Sequence, residues 1–370
     1  NYAIGGQVNS NNTGFSQVST GNPKLKWETT AVTNIGIDGT IARDFTFMVE
    51  WYQRKTRDMI YLVDLPAELG NVGAQAQNIG SMQNTGVDFS AGWNHRFNKD
   101  FNFGVTLTGS TNKNLVTKLD ANSNTFITSG GTRLGDVTYT AVGLPISQLR
   151  GYVVDGLWAS DAQIAKELYT DKGGAKVGYF RYKDINHDGK IDDNDLQILG
   201  SPLPTFFAGL NLTANYKNFD FTMYWSGTYG NKLFNFVKYF TTLNGFQRSR
   251  VKDALYQAGK TLPILDGGDN YSTQRNSFYV EDGSFTRLRN LQIGYSLSAN
   301  SLRRLGLSRL RFYLSGMNLL TFTKYTGLDP DVTISNITEG YATKRDLSIG
   351  LDNGRYPTAR SFIFGVNLEF

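Results

Sequence analysis

The sequence contains no cysteine, which excludes a disulfide framework, thiolate catalysis and any metal site built on sulfur. It holds only 2 histidines, so few residues are available as general bases near neutral pH. No apolar run approaches the roughly 18 residues that a transmembrane helix requires. Lysine and arginine form no long cluster, and the formal net charge is only +5. We therefore expect no nucleic-acid groove.

What the sequence does contain in quantity is glycine, phenylalanine and tyrosine, at 40, 24 and 20 residues, a balance typical of many strands joined by turns. The carboxyl-terminal segment illustrates the pattern. Its apolar residues alternate with small or polar ones at Phe362, Phe364, Val366, Leu368 and Phe370. A period of two predicts a strand with one apolar face. The predicted fold class is all-β and antiparallel.

The same alternation predicts nine strands, at about 27–40, 45–58, 82–97, 101–115, 204–216, 219–230, 284–298, 308–322 and from 362 to the end. Short turns alternate with long loops, which span 59–81, 116–203, 231–282 and 323–355. In an up-and-down barrel this order places all short turns at one mouth and all long loops at the other. Outer-membrane barrels have this asymmetry. Nine strands that start at the mouth with the long loops end at the opposite mouth. The strand count therefore predicts a periplasmic carboxyl terminus.

Alternation alone leaves open which way the apolar face points, because a soluble barrel or sandwich has the same period. Three features favour an apolar face that points toward lipid. The strands are long, aromatic residues concentrate near strand ends, and charged residues occupy the other face. The residues that we expect to line a wet lumen are Glu50, Arg54, Asp88, Asn94 and Tyr224. The alternative, a soluble sandwich, would bury Phe89, Phe103 and Leu212 against a second sheet.

Nine strands do not make a complete membrane barrel, since single-chain bacterial barrels have even strand numbers and an open sheet would leave two long edges. The remaining strands are expected from residues that would precede this sequence. The amino terminus has neither a signal-peptide pattern nor a starting methionine, so the sequence is expected to be part of a longer or processed chain.

The long insertion 116–203 contains one segment with the chemistry of a metal site, at residues 184–195. Oxygen-bearing side chains fall at positions 1, 3, 5, 9 and 12 of a twelve-residue loop, a glycine occupies position 6, and position 7 would contribute its carbonyl oxygen. Ca²⁺ takes six to eight oxygen ligands in this kind of spacing. The predicted ligands of a structural Ca²⁺ ion are Asp184, Asn186, Asp188, Lys190 (through its carbonyl), Asp192 and Asp195.

Position 12 departs from the common pattern, because it carries the shorter Asp195 where EF-hands have glutamate. This variant resembles the dockerin loop, and it leaves bidentate binding of the ion open. The alternative is a surface turn without any ion, since Asp, Asn and Gly favour turns unaided.

No further motif indicates catalysis. The sequence contains no Ser/His/Asp set, zinc-protease motif, P-loop or dinucleotide fingerprint, and its carboxylates are too scattered to nominate a glycosidase pair. We therefore predict no enzymatic activity. Aromatic residues of the insertion are candidates for stacking on a substrate, namely Trp158, Tyr179 and Tyr182. Packing of the insertion onto the barrel rim explains them equally well.

Several segments together resemble the carboxyl-terminal part of a SusC-like TonB-dependent outer-membrane transporter (RagA/SusC family) of Bacteroidetes. They occur in family order over essentially all 370 residues. The segments are Asn22–Thr30, Asn78–Val87, Gly151–Gly156, Tyr182–Asn186, Gly200–Pro204, Tyr279–Asn290, Leu314–Leu319 and Tyr356–Arg360.

This resemblance implies the last nine strands of a 22-stranded barrel plugged by an amino-terminal domain. It also implies energy from TonB–ExbB–ExbD, a SusD-like lipoprotein that closes over the mouth, and an oligosaccharide or, next, an oligopeptide as cargo. The long loops would form the rim and the docking surface for that lid. Two rivals stay open: a Ca²⁺-stabilised soluble sandwich that binds carbohydrate, and a passive porin or adhesin barrel without plug or lid.

Overall fold

The structure is a computed structural model that describes residues 2–3, 11–12, 21–63, 75–119, 126–243, 252–298, 307–332 and 347–370. In chain order its strands are β1 (Tyr2–Ala3), β2 (Asn11–Asn12), β3 (Thr29–Ile41), β4 (Phe45–Val63), β5 (Gln75–Arg96), β6 (Phe101–Thr111), β7 (Lys113–Leu119), β8 (Phe126–Thr132), β9 (Gly135–Ala141), β10 (Gln148–Gly151), β11 (Val154–Leu157), β12 (Phe180–Tyr182), β13 (Gln197–Gly200), β14 (Phe206–Tyr216), β15 (Phe219–Tyr229), β16 (Lys232–Asn235), β17 (Val280–Asp282), β18 (Phe285–Ser296), β19 (Arg309–Thr323), β20 (Leu351–Asp352) and β21 (Ser361–Glu369). Its α-helices are α1 (Asp161–Glu167) and α2 (Lys252–Gln257).

The dominant element is an antiparallel sheet of ten strands in the order β21-β19-β18-β15-β14-β6-β5-β4-β3, with β7 paired to β5 beyond the end of β6. Each predicted strand overlaps this sheet, and the strand predicted at about 101–115 covers both β6 and the start of β7, which the alternation did not separate. Tight turns join neighbouring strands along one edge. Between β3 and β4 the turn residues Ala42 and Arg43 both have positive φ, at 51° and 67°. Consecutive positive φ values match the right-handed twist of a hairpin.

One face of this sheet is apolar and is not covered by any second sheet in the described part of the chain. Ile35 and Phe364, for example, are 68% and 70% exposed. The three residues that a soluble sandwich would bury, Phe89, Phe103 and Leu212, are only partly buried. The sandwich alternative is therefore wrong, since its core residues do not form a core. The outward orientation of the apolar face is the one consistent with a membrane barrel.

Aromatic rings gather along the sheet edge that carries the short turns. The ring of Phe97 lies 6.1 Å from that of Trp93 and 5.1 Å from that of Phe101, and Phe101 lies 6.3 Å from Tyr216. Membrane barrels place such a belt at the lipid–water interface.

The hairpin of β4 and β5 is longer than predicted. Strand β4 continues to Val63 and β5 begins at Gln75, so most of the predicted loop 59–81 that the structure describes is strand. The pairing shifts register between Thr56 and Met59, where Asp58 adopts a φ of 55°. A bulge of this kind interrupts the period of two without ending the ladder. The sequence pattern therefore stopped at the bulge although the strand did not.

The described parts of the insertion 116–203 form small sheets and a core that Tyr271 of the later loop completes. One sheet has the order β13-β10-β9-β8, a second pairs β11 with β12, and a third joins β17, β16 and β20 from later in the chain. Ser160 caps α1 by accepting a hydrogen bond from the Gln163 amide. The rim of the sheet is therefore built from packed structure.

Among the described residues, no helix is long and apolar enough to cross a bilayer.

Candidate functional site

The polar face of the ten-stranded sheet is concave, and three predicted lumen residues meet there. Glu50 and Asp88 are directly opposite one another in the β4–β5 ladder, and Arg54 lies four residues along β4 on the same face. All three line a concavity of about 460 Å³. Asp88 accepts a hydrogen bond from the Ser110 hydroxyl. In the described part of the chain, neither Glu50 nor Arg54 forms an ion pair, so both charges face the open concavity.

A second concavity, of about 510 Å³, continues along the same face. Tyr224, 40% exposed, lines it together with Asp88 and Arg289. Asn94 lies apart from these residues, near the β5–β6 turn, where its amide donates to the Asp44 carbonyl. The structure thus brings four of the five predicted lumen residues around one polar surface and places the fifth at the turn edge.

Beside the second concavity is a cluster of two arginines and two aspartates that the sequence analysis did not single out. Arg287 and Asp329 form an ion pair of 2.5 Å, and the pair of Arg289 with Asp331 measures 2.9 Å. Arg289 Nε also donates to the Ser226 hydroxyl. We call these four charged residues the Arg–Asp cluster. Its sequence signal was available, since Arg287 and Arg289 have the spacing that places two side chains on one strand face.

Asp329 anchors the cluster to three segments of the chain. It accepts hydrogen bonds from the Thr358 and Asp331 amides and from Arg287. Burial alone would raise the pKa of Asp329, but these hydrogen bonds outweigh it and hold the pKa below its usual value. The carboxylate is therefore charged at neutral pH.

The predicted calcium loop turns at Gly189, and the carboxylates at its two ends accept backbone hydrogen bonds. Gly189, at position 6, has a φ of 78°, and its amide donates to Asp184 Oδ2. The other oxygen, Asp184 Oδ1, is buried and has no hydrogen-bond partner. Asp195 is fully buried, and its two oxygens accept hydrogen bonds from the Ile185 and Asp192 amides. An unpartnered buried oxygen beside a buried carboxylate fits a bound cation.

Other residues of this loop form contacts within the loop. Lys190 Nζ lies 2.7 Å from Asp192 Oδ2 and 3.7 Å from Asp188 Oδ2, and Asn186 Nδ2 donates to Asp188. Hydrogen bonding to Lys190 lowers the pKa of Asp192, and that same hydrogen bond raises the pKa of Lys190. Across the described residues, no three acidic or histidine side chains converge as a ready metal site. Binding of Ca²⁺ would require the Lys190 ammonium to leave these carboxylates.

The three aromatic candidates for substrate contact lie in the core of the insertion. Trp158, Tyr179 and Tyr182 are 1%, 2% and 1% exposed. Tyr182 stacks on Tyr152 at 5.1 Å, and its hydroxyl donates to the Tyr271 carbonyl. None of the three offers an open ring face to a ligand in this conformation. The arrangement favours the packing interpretation.

The comparisons with known proteins give a consistent picture. Residues 1–319 match the family described as TonB dependent receptor-like, beta-barrel. TonB-dependent receptor P3 of Formosa agariphila is 31% identical over 374 residues, a match that covers 100% of this chain and 36% of that protein. TonB-dependent receptor SusC of Bacteroides thetaiotaomicron is 26% identical, covering 96% and 34%.

A solved structure of the RagAB peptide transporter matches this fold with a TM-score of 0.78 at 25% identity. The match covers 98% of this chain and 37% of that one. The chain therefore spans little more than a third of the length of the relatives that it matches.

Proposed function

The chain belongs to the TonB-dependent receptor β-barrel family, and we propose from that membership that the whole protein actively imports a large nutrient across the outer membrane. The observation that carries the proposal is the match over residues 1–319, together with a sheet that exposes one apolar face and presents a charged, concave face on the other side. This family transports or receives ligands, and no part of the proposal requires catalysis.

The proposed arrangement follows the relatives. This chain would form the carboxyl-terminal part of the barrel, with Phe370 at the periplasmic end of β21 and the folded rim outside the cell. Glu50, Arg54, Asp88, Asn94 and Tyr224 would line the transport path. A SusD-like lipoprotein would close over the rim, and TonB–ExbB–ExbD would supply energy through regions outside this chain. The cargo would be an oligosaccharide, as the family resemblance implies, or next an oligopeptide, the class named for the RagAB peptide transporter that this fold matches.

Accumulation of labelled cargo in cells tests this proposal. We expect cells that express the full-length protein to accumulate either labelled oligosaccharides or labelled oligopeptides, and to lose nearly all accumulation when TonB is deleted. A small passive solute, followed in parallel, should enter at the same rate in both strains. Uptake of the oligomer that persists without TonB would contradict active import and indicate a passive porin.

We also propose that the loop 184–195 binds Ca²⁺ as a structural ion. Asp184, Asn186, Asp188, Asp192, Asp195 and the carbonyl of Lys190 would hold it. The buried free oxygen of Asp184 and the positive φ of Gly189 support this assignment. The ion would fix the loop on the outer side of the insertion core.

Chelation is expected to loosen this loop. An ion present at 100 times its dissociation constant stabilises the bound form by about 2.7 kcal/mol, so excess EDTA should speed proteolytic cleavage within residues 170–200 by at least about tenfold. Asp184→Asn should be cleaved quickly with or without EDTA. Asp193→Asn is the matched control, since this carboxylate is largely exposed and occupies no ligand position. Cleavage that EDTA does not change would show that the loop needs no ion.

A further inference from the structure

The Arg–Asp cluster lies on the wall of the proposed transport path, at a bulge in strand β18. The pairing of β18 shifts register on both sides, between Tyr224 and Trp225 of β15 and between Leu288 and Asn290 on the β19 side. Arg289 is the residue at this bulge, and Asn318 of β19 adopts a φ of 54° beside it. Bulges add a residue to one strand and redirect its side chain. Here the bulge adds Arg289 to the polar face, where Arg287 already lies.

The two arginines differ in their surroundings. Arg287 is 3% exposed and is paired with Asp329, so it is held as part of the wall. Arg289 is 30% exposed at its side chain and lines the 510 Å³ concavity together with Tyr224 and Ser226. Because the Arg289 side chain is partly exposed to a polar concavity, its guanidinium can exchange the Asp331 carboxylate for a ligand.

One N–H donor of the cluster is buried without a hydrogen bond. Arg287 Nη1 is buried without a hydrogen-bond partner, and it lies 3.6 Å from Asp331 Oδ2. A guanidinium group offers five N–H donors in a planar fork that matches a carboxylate. Nη1 itself has no accessible surface, so an incoming carboxylate could reach only Arg289, whose side chain is 30% exposed. The occupant that the structure places on Arg289 is itself a carboxylate, that of Asp331.

We propose that Arg289, supported by Arg287, is a receptor for a carboxylate group of the cargo, and that Asp331 holds this site until the cargo displaces it. The inference rests on the proposed import function and specifies the chemistry of its ligand. The carboxylate could come from the carboxyl terminus of an oligopeptide or from an acidic sugar of an oligosaccharide. Both sources present the same planar group to the arginine fork.

Retention of defined probes on the purified full-length protein tests the inference. The peptide arm uses a library of neutral heptapeptides with free carboxyl termini and the same library amidated. The sugar arm uses oligouronates and their methyl esters. We expect the wild type to retain the carboxylate form of one arm about tenfold better than its neutral form, as for a charge-assisted hydrogen bond. The arm that shows this preference identifies the source of the carboxylate.

Two substitutions should change the preference in opposite directions. Arg289→Gln is expected to retain charged and neutral forms equally, because the fork is lost. Asp331→Asn is expected to increase retention of the carboxylate form at least about threefold, because the internal competitor is gone. A purely structural ion pair predicts no such increase. Arg309→Gln is the matched control, since Arg309 is half-exposed and pairs with Glu369 at the other end of β19.

Equal retention of charged and neutral probes by the wild type would overturn the inference, as would a preference that survives Arg289→Gln. The import function would stand or fall separately, on the TonB-dependent accumulation described above. A protein that imports oligomers without regard to their carboxylates would keep the proposed function and lose this site.

Discussion

Leu212→Arg is expected to reduce strongly the amount of barrel that assembles in the membrane. Leu212 lies near the middle of β14, opposite Met223 of β15 and Val105 of β6, on the apolar face of the sheet. An arginine facing lipid near the midplane of a barrel costs about 2–4 kcal/mol. This is a large share of the 5–15 kcal/mol that stabilises a typical folded protein. The amount of protein that keeps the compact, heat-sensitive mobility of a folded barrel on electrophoresis measures the effect.

Two companion variants separate a lipid-facing position from a packed core. Asn211→Arg places the same charge one residue away on the polar face, where we expect assembly close to that of the wild type. Leu212→Phe should also assemble normally, because lipid accommodates a larger apolar group. In a packed core the added volume would cost about 1–3 kcal/mol. Failure of Leu212→Phe to assemble would mean that Leu212 faces protein.

The sheet could be predicted from the sequence because one physical rule governs most of it. Each barrel strand alternates between lipid and water, so residues such as Phe362 and Phe364 repeat with a period of two. The alternation of short turns and long loops then orders the strands, and the observed sheet has that order. The family resemblance of the sequence and the family match over residues 1–319 both indicate a barrel.

The structure of the rim does not follow the period of two. The bulge near Asp58 breaks the alternation, so the sequence predicts a loop where the strand continues. Within the predicted loop 231–282, residues Lys232–Asn235 form β16, which pairs with β17 and β20. Strands this short, paired with segments distant in sequence, carry no local period, and tertiary contacts determine them.

The polar face was predictable as a surface but not as a set of contacts. The alternation of side chains along each strand is enough to place Glu50, Arg54 and Asp88 on this face. The pairing of Arg289 with Asp331 could not, because it joins a strand to a loop 42 residues away. The predicted calcium loop is the opposite case, since its spacing is local and its candidate ligands follow from the sequence alone; both the ligand set and the binding of the ion stay predictions.

Trp158→Ala is expected to unfold much of the insertion while leaving the barrel intact. Trp158 is 1% exposed and belongs to the core formed with Tyr152, Tyr182 and Leu196, and its backbone exchanges hydrogen bonds with Gly178 and Tyr179. Removing a buried tryptophan side chain costs about 3–5 kcal/mol through lost burial and the cavity that remains. Limited proteolysis should cut residues 150–200 quickly, and the electrophoretic mobility of the folded barrel should not change.

The same variant distinguishes packing from substrate contact, the two interpretations that the sequence allowed. If Trp158 packs the insertion, Trp158→Phe should restore most of the protection because it fills most of the cavity. Val177→Ala, which truncates a side chain that is 40% exposed in the same segment, should leave proteolysis almost unchanged. If Trp158 instead stacks on cargo, its replacement by Ala would weaken cargo retention without any new cleavage. That result would require the insertion to open and present the ring, because the ring is 1% exposed in the structure.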